Sequence, residues 1–177
     1  MWWFRASLAA IGLALLAAAC GFQPLYASRP ADGGVLDDYA AIKVAVIADR
    51  TGQQLRNELV DLLTPRGAAS KHDYLLEVEL TEAIEELALA STGLATRANL
   101  RLDAAYRLKD FTSNAVLLSE RSSATSSYDL LDSSPFSTVT AQNDARKRTA
   151  LRLAQDIRAR LGVFFAARRK STTGGSG

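Results

Sequence analysis

Leu94-Ala95-Thr96-Arg97-Ala98-Asn99-Leu100-Arg101-Leu102-Asp103-Ala104-Ala105-Tyr106-Arg107-Leu108-Lys109 shows the clearest alternation of apolar and polar side chains in the chain. From Leu100 onward, Leu100, Leu102, Ala104, Tyr106 and Leu108 occupy one parity. Arg97, Asn99, Arg101, Asp103, Arg107 and Lys109 occupy the other. Side chains of a strand point alternately to its two faces, so this is a half-buried strand of the antiparallel kind. One face must be covered by another layer, and the other meets water or a partner.

Working outward, Ser91-Thr92-Gly93 is a turn, and Tyr74 to Ala90 before it is a second long strand. Tyr74, Leu76, Val78 and Leu80 point one way and Glu77, Glu79 and Thr81 the other. Leu87 and Leu89 have the opposite parity, so a bulge or bend is expected near Ala83 to Glu86. On the other side, Asp110 to Asn114 is a polar turn. Ala115 to Tyr128 is a third strand, apolar at its start and then rich in Ser and Thr, and Asp129 to Pro135 is a loop. Three strands joined by short turns make a meander.

Two helical segments flank it. Phe136 to Arg168 carries a buried stripe of Ala150, Leu153, Ala154, Ile157, Leu161 and Phe165. Gly162 weakens this helix without ending it. Lys147, Arg148, Arg152, Arg158 and Arg160 read as its solvated side, and Arg168-Arg169-Lys170 suits its C-terminal dipole. Before the meander, Ala41 to Ile47 is a nearly all-apolar strand. Thr51 and Gln54 form a capping box for a helix from about Gly52 to Leu63, with Leu55, Leu59, Leu62 and Leu63 on one face. Pro65 and Gly67 stop it. The economical arrangement is α+β. It is a two-layer sandwich with a four-stranded, mostly antiparallel sheet and two helices on one face, in the order βαβββα.

The N-terminus is of another kind. Met1-Trp2-Trp3-Phe4-Arg5 carries one cation, and Ala6 to Ala19 is an uncharged apolar run ending in Ala17-Ala18-Ala19. That is the pattern of a secretory signal peptide, and the run is shorter than the ~20 residues a spanning helix needs. The single cysteine, Cys20, follows directly. The site resembles a bacterial lipobox, with Ala17 where Leu is usual. The resemblance implies cleavage after residue 19, an S-diacylglycerol on the sulfur and acylation of the new amine; palmitate is an expected acyl chain. Ala27 to Asp38, with Pro30 and Gly33-Gly34, reads as a tether. The expected organisation is therefore a signal peptide (1–19), a lipidated N-terminus and tether (20–38), one domain (39–170) and a disordered tail (171–177).

Cys20-Gly21-Phe22-Gln23-Pro24-Leu25-Tyr26 resembles the mature start of LptE, the lipopolysaccharide-assembly lipoproteins of Gram-negative envelopes. Asp49-Arg50-Thr51-Gly52-Gln53-Gln54-Leu55-Arg56-Asn57 is similar to a second family patch. The resemblance implies a two-layer α/β sandwich in this element order. It also implies an outer-membrane lipoprotein on the periplasmic side that plugs the LptD β-barrel, assists its assembly and helps deliver lipopolysaccharide to the outer leaflet. Gly21 after the cysteine, rather than Asp, resembles outer-membrane sorting. The rival is another periplasm-facing accessory lipoprotein, such as a penicillin-binding-protein activator or an ABC-transport auxiliary.

The residues offer little chemistry. His72 is the only histidine, at a loop-to-strand junction, where a solvated role is expected. No glycine-framed serine accompanies it, so a Ser-His-Asp site is not expected. Glu77, Glu79, Glu82, Glu85 and Glu86 read as a solvated face rather than a metal site. Nucleotide motifs are absent. The expectation is a non-enzyme with no catalytic residue, metal or cofactor besides the lipid on Cys20. Arg97, Arg101, Arg107 and Lys109 share one strand face, and Arg binds phosphate bidentately, so they are candidates for lipopolysaccharide contact. The alternative is a solvated face. The 177-residue chain is 48% hydrophobic with a formal net charge of +2. That fits one domain with a real core and does not call for nucleic acid.

Overall fold

The computed structural model describes residues 34–89, 95–130 and 135–173. The signal peptide, Cys20, the first part of the tether and the last four residues lie outside them, as does the turn at Ser91-Thr92-Gly93. The elements are α1 (Val35–Ala40), β1 (Ile42–Val44), α2 (Asp49–Leu63), β2 (Tyr74–Leu89), β3 (Ala95–Asp110), β4 (Val116–Asp129) and α3 (Pro135–Thr173). The sheet order is β1-β2-β3-β4, with β1 parallel to β2 and the other pairs antiparallel.

The alternation in β3 does what its period requires. Leu100, Leu102, Ala104, Tyr106 and Leu108 are all buried. They meet the stripe of α3, in which Ala150, Leu153, Ala154, Ile157, Leu161 and Phe165 are also buried. Leu55, Leu59 and Leu63 of α2 complete this layer. Each fully buried leucine contributes roughly 1.5–3 kcal/mol from apolar area removed from water.

Among the described residues, three helices flank the sheet rather than two. The extra one, α1, falls partly in the stretch expected to be tether. Six residues carry too little periodicity to announce a helix. Packing reveals its reason: Tyr39 is buried, its hydroxyl donates to the Arg158 carbonyl at 2.8 Å, and its ring stands edge-on to Phe165. Gly162 is the seat for that hydroxyl, since a Cβ there would lie 2.3 Å from the Tyr39 oxygen. Arg169 clasps Asp38 at 2.6 Å. The helix α3 continues to Thr173, so Ser171 to Thr173 are helical instead of belonging to a disordered tail. Its 39 residues span about 58 Å at 1.5 Å each.

The first strand is shorter than its apolar run. After Val44, Ala45 gives one more hydrogen bond to the Leu76 carbonyl, and the chain then leaves the sheet with Val46 85% exposed. Ile47 turns inward against Gly52, where a Cβ would sit 2.7 Å from the Ile47 methyl. The expected capping box does not form. The helix begins at Asp49, so Thr51 lies inside its first turn, and the Thr51 hydroxyl donates to Glu82 of β2 at 2.9 Å. The bulge in β2 comes slightly later than expected. Glu86 pairs with Ala98 and Ala88 with Arg97, leaving Leu87 as the extra residue.

Candidate functional site

With α1, α2 and α3 on one side, the odd positions of β2, β3 and β4 form an open face. Arg97, Arg101, Arg107 and Lys109 all lie there, as their parity requires. The register then decides their neighbours. Arg107 stands opposite Glu77, and its guanidinium reaches Glu77 at 3.7 Å and Glu79 at 3.4 Å. Lys109 bonds Glu77 at 2.8 Å. Arg97 bonds Asp129 of β4 at 3.1 Å, and Arg101 bonds Asp103 on its own strand at 2.9 Å. The expected basic face is thus a checkerboard of cations and carboxylates. Glu77 and Glu79 belong to this checkerboard. Among the described residues, no group of His, Cys, Asp or Glu is placed to hold a metal ion.

Two shallow clefts of about 570 and 730 Å³ lie on this face and share Glu79, Ala105 and Arg121 as lining. Ala105 is short between long neighbours, which makes the dent. Arg121 of β4 sits opposite Ala105 and has no ion pair among the described residues. The sequence reading missed it, although Ser119, Arg121, Ser123, Thr125 and Ser127 keep one parity in a strand otherwise read only as Ser/Thr-rich. An open, polar face with an unpaired guanidinium can hold an anionic or hydrogen-bonding surface. His72 lies elsewhere and is half-buried against Phe111, their ring centres 6.2 Å apart, rather than solvated.

Polar groups on the helix side act as pins. Arg146 of α3 forks onto Glu82 at 2.8–3.1 Å, so Glu82 joins α2, β2 and α3. Burial disfavours the charged Glu82, but hydrogen bonds from Arg146 and Thr51 outweigh it and hold the carboxyl below its ordinary value. Ser122 of β4 donates to Asp156, and with Arg160 this lowers the Asp156 carboxyl. Burial, and then Glu120 beside it, pushes the Tyr106 phenol upward. Lys147, Arg148, Arg152 and Arg160 of α3 are exposed as expected, and Arg158 is half-buried. Arg148 and Arg152 donate to the Ser127 and Thr125 carbonyls, and Arg158 lies over the Tyr39 ring.

Residues 39–161, more than half of the chain, match the lipopolysaccharide-assembly family LptE. The chain belongs to the LptE family. Uncharacterized protein RP188 of Rickettsia prowazekii is 27% identical over 153 residues, covering 86% of this chain and 93% of that protein. A solved candidate lipoprotein from Caulobacter crescentus is 28% identical with a TM-score of 0.61, covering 75% of this chain and 96% of that one. The minor lipoprotein of Acinetobacter baumannii shares the fold, with a TM-score of 0.54 at 24% identity over 69% of this chain and 90% of that one. An LptE-family chain is an assembly protein, and the expectation of a non-enzyme rests on that membership. No helix among the described residues is long and apolar enough to cross a membrane.

Proposed function

We propose that this LptE-family chain is an outer-membrane lipoprotein that partners an LptD-type β-barrel and helps deliver lipopolysaccharide to the outer leaflet. The observation that carries this reading is the family match over residues 39–161. The anchor is Cys20, bearing N-acyl and S-diacylglycerol groups, and the domain hangs on the periplasmic side. Several acyl chains hold a protein stably where one chain binds only marginally. Barrel interiors are polar, so a plug must offer a compact, mixed-charge exterior. The checkerboard of Arg97, Arg101, Arg107 and Lys109 with Asp and Glu suits such a wall.

The same cations are proposed to meet lipopolysaccharide phosphates. Exposed ion pairs contribute only about 0–1 kcal/mol, so a phosphate can replace a carboxylate at little cost. Native purification of the full lipoprotein from its own envelope tests the main reading. Recovery of an LptD-type barrel is expected. Recovery of a cell-wall synthase or a transporter instead would overturn it. Mass spectrometry of the mature N-terminus should find Cys20 acylated, and an unmodified thiol would remove the anchor.

A further inference from the structure

The sheet's two long edges are finished differently. Along β4, Arg148 and Arg152 of α3 cap the Ser127 and Thr125 carbonyls. Along β2, the three-residue strand β1 pairs only with Tyr74 to Leu76. The Leu76 carbonyl accepts from Ala45 on that side, so the N–H and C=O groups of Val78, Leu80, Glu82 and Ile84 point the same way. Among the described residues no strand lies beside them. The first cleft opens where β1 departs, next to exposed Val46 and along Glu77 to Glu79.

An edge with unpaired backbone groups is a template for strand addition. Its side chains say what it would accept. Toward the open face it presents Glu77, Glu79 and Glu85; Glu79 is 79% exposed, and Glu85 has no ion pair among the described residues. Toward the helices it presents Val78, Leu80 and Ile84, the last 43% exposed. Like charges placed opposite each other are destabilising, so a second copy of β2 is disfavoured.

We propose that the β2 edge from Val78 to Glu86 binds an extended polypeptide segment as a fifth strand, with basic residues toward the open face alternating with apolar ones toward the helices. The bulge at Leu87 ends the track. A closed barrel has no free strand edge, so the segment comes from a loop or terminus of a partner. The proposal stands on this edge alone and does not require the barrel reading.

The probe is a fluorescent nine-residue peptide alternating lysine and valine, added to the full mature lipoprotein in neutral detergent. It should bind and slow amide exchange at Val78, Leu80, Glu82 and Ile84. A peptide of the same sequence, N-methylated on one backbone edge, should bind about tenfold more weakly or worse. The double variant Glu79→Lys with Glu85→Lys should lose about as much. Equal binding of the methylated peptide would reduce the effect to bulk charge and overturn the proposal. So would edge amides already protected in the peptide-free protein, because the chain's own preceding residues or a second copy would then occupy the site.

Discussion

The two faces of the sheet come from the same strands and do opposite work. On the helix side, nearly every β3 position is fully buried and apolar, and the few polar groups are pinned, as Glu82 is by Arg146 and Thr51. On the open side, most residues are charged or hydroxylated, and most of the charges are paired across or along the strands. Folding energy is concentrated on the first face. The second is free to be specified by whatever it meets.

Substitutions should sort accordingly. The largest effect belongs to Leu102→Ala on the covered face, which should cost about 2–5 kcal/mol in chemical denaturation. A cost below that of a surface substitution would mean the layer is not packed as described.

Gly162→Ala comes next. Alanine is the better helix former by about 1 kcal/mol, yet its methyl would strike the Tyr39 hydroxyl. A net loss of about 1–3 kcal/mol is expected, largely recovered by adding Tyr39→Phe. Stabilisation by the single change would show that α1 does not dock there.

Arg146→Met sharpens the contrast from the polar side. It should cost about 1–2 kcal/mol at neutral pH, because Glu82 loses its fork. Glu82 titrates lower in the folded protein than its ordinary value of 4.5, so its contribution is present above that pH. It fades as pH falls through the lowered folded value. The wild type should therefore lose part of its stability on acidification below about pH 4.5, and Arg146→Met should lose less over the same window.

The smallest stability effect belongs to Arg97→Glu with Arg101→Glu on the open face. About 0.5 kcal/mol or less is expected in denaturation, beside a clear loss in lipopolysaccharide pull-down. Undiminished pull-down would discard those residues as contacts.

How far the sequence carried depended on the range of each signal. The β3 alternation and the α3 stripe are periodic over many residues, and each placed its side chains correctly. The β2 phase slip pointed to a bulge within a few residues of its place. Short and long-range features were not legible. α1 has six residues, and its cause, the fit of Tyr39 over Gly162, joins distant parts of the chain. Thr51 and Gln54 matched a local capping pattern, but the Thr51 hydroxyl is taken by Glu82, far along the chain. Arg107 and Lys109 looked like a bare basic face because their carboxylates arrive by cross-strand register. Arg148 and Arg152 are exposed, as their place on the helix suggested, but the carbonyls they also cap were not legible because they belong to β4.

Crosslinking in living cells can show whether a barrel encloses the open face. A photoreactive residue placed at Arg121, on the open face between its clefts, should join the lipoprotein to an LptD-type barrel, while one at Val163 on the outer side of α3 serves as comparison. A barrel adduct is expected from the lipid-anchored protein. Adducts only to other envelope proteins, with the barrel absent from every position, would contradict it.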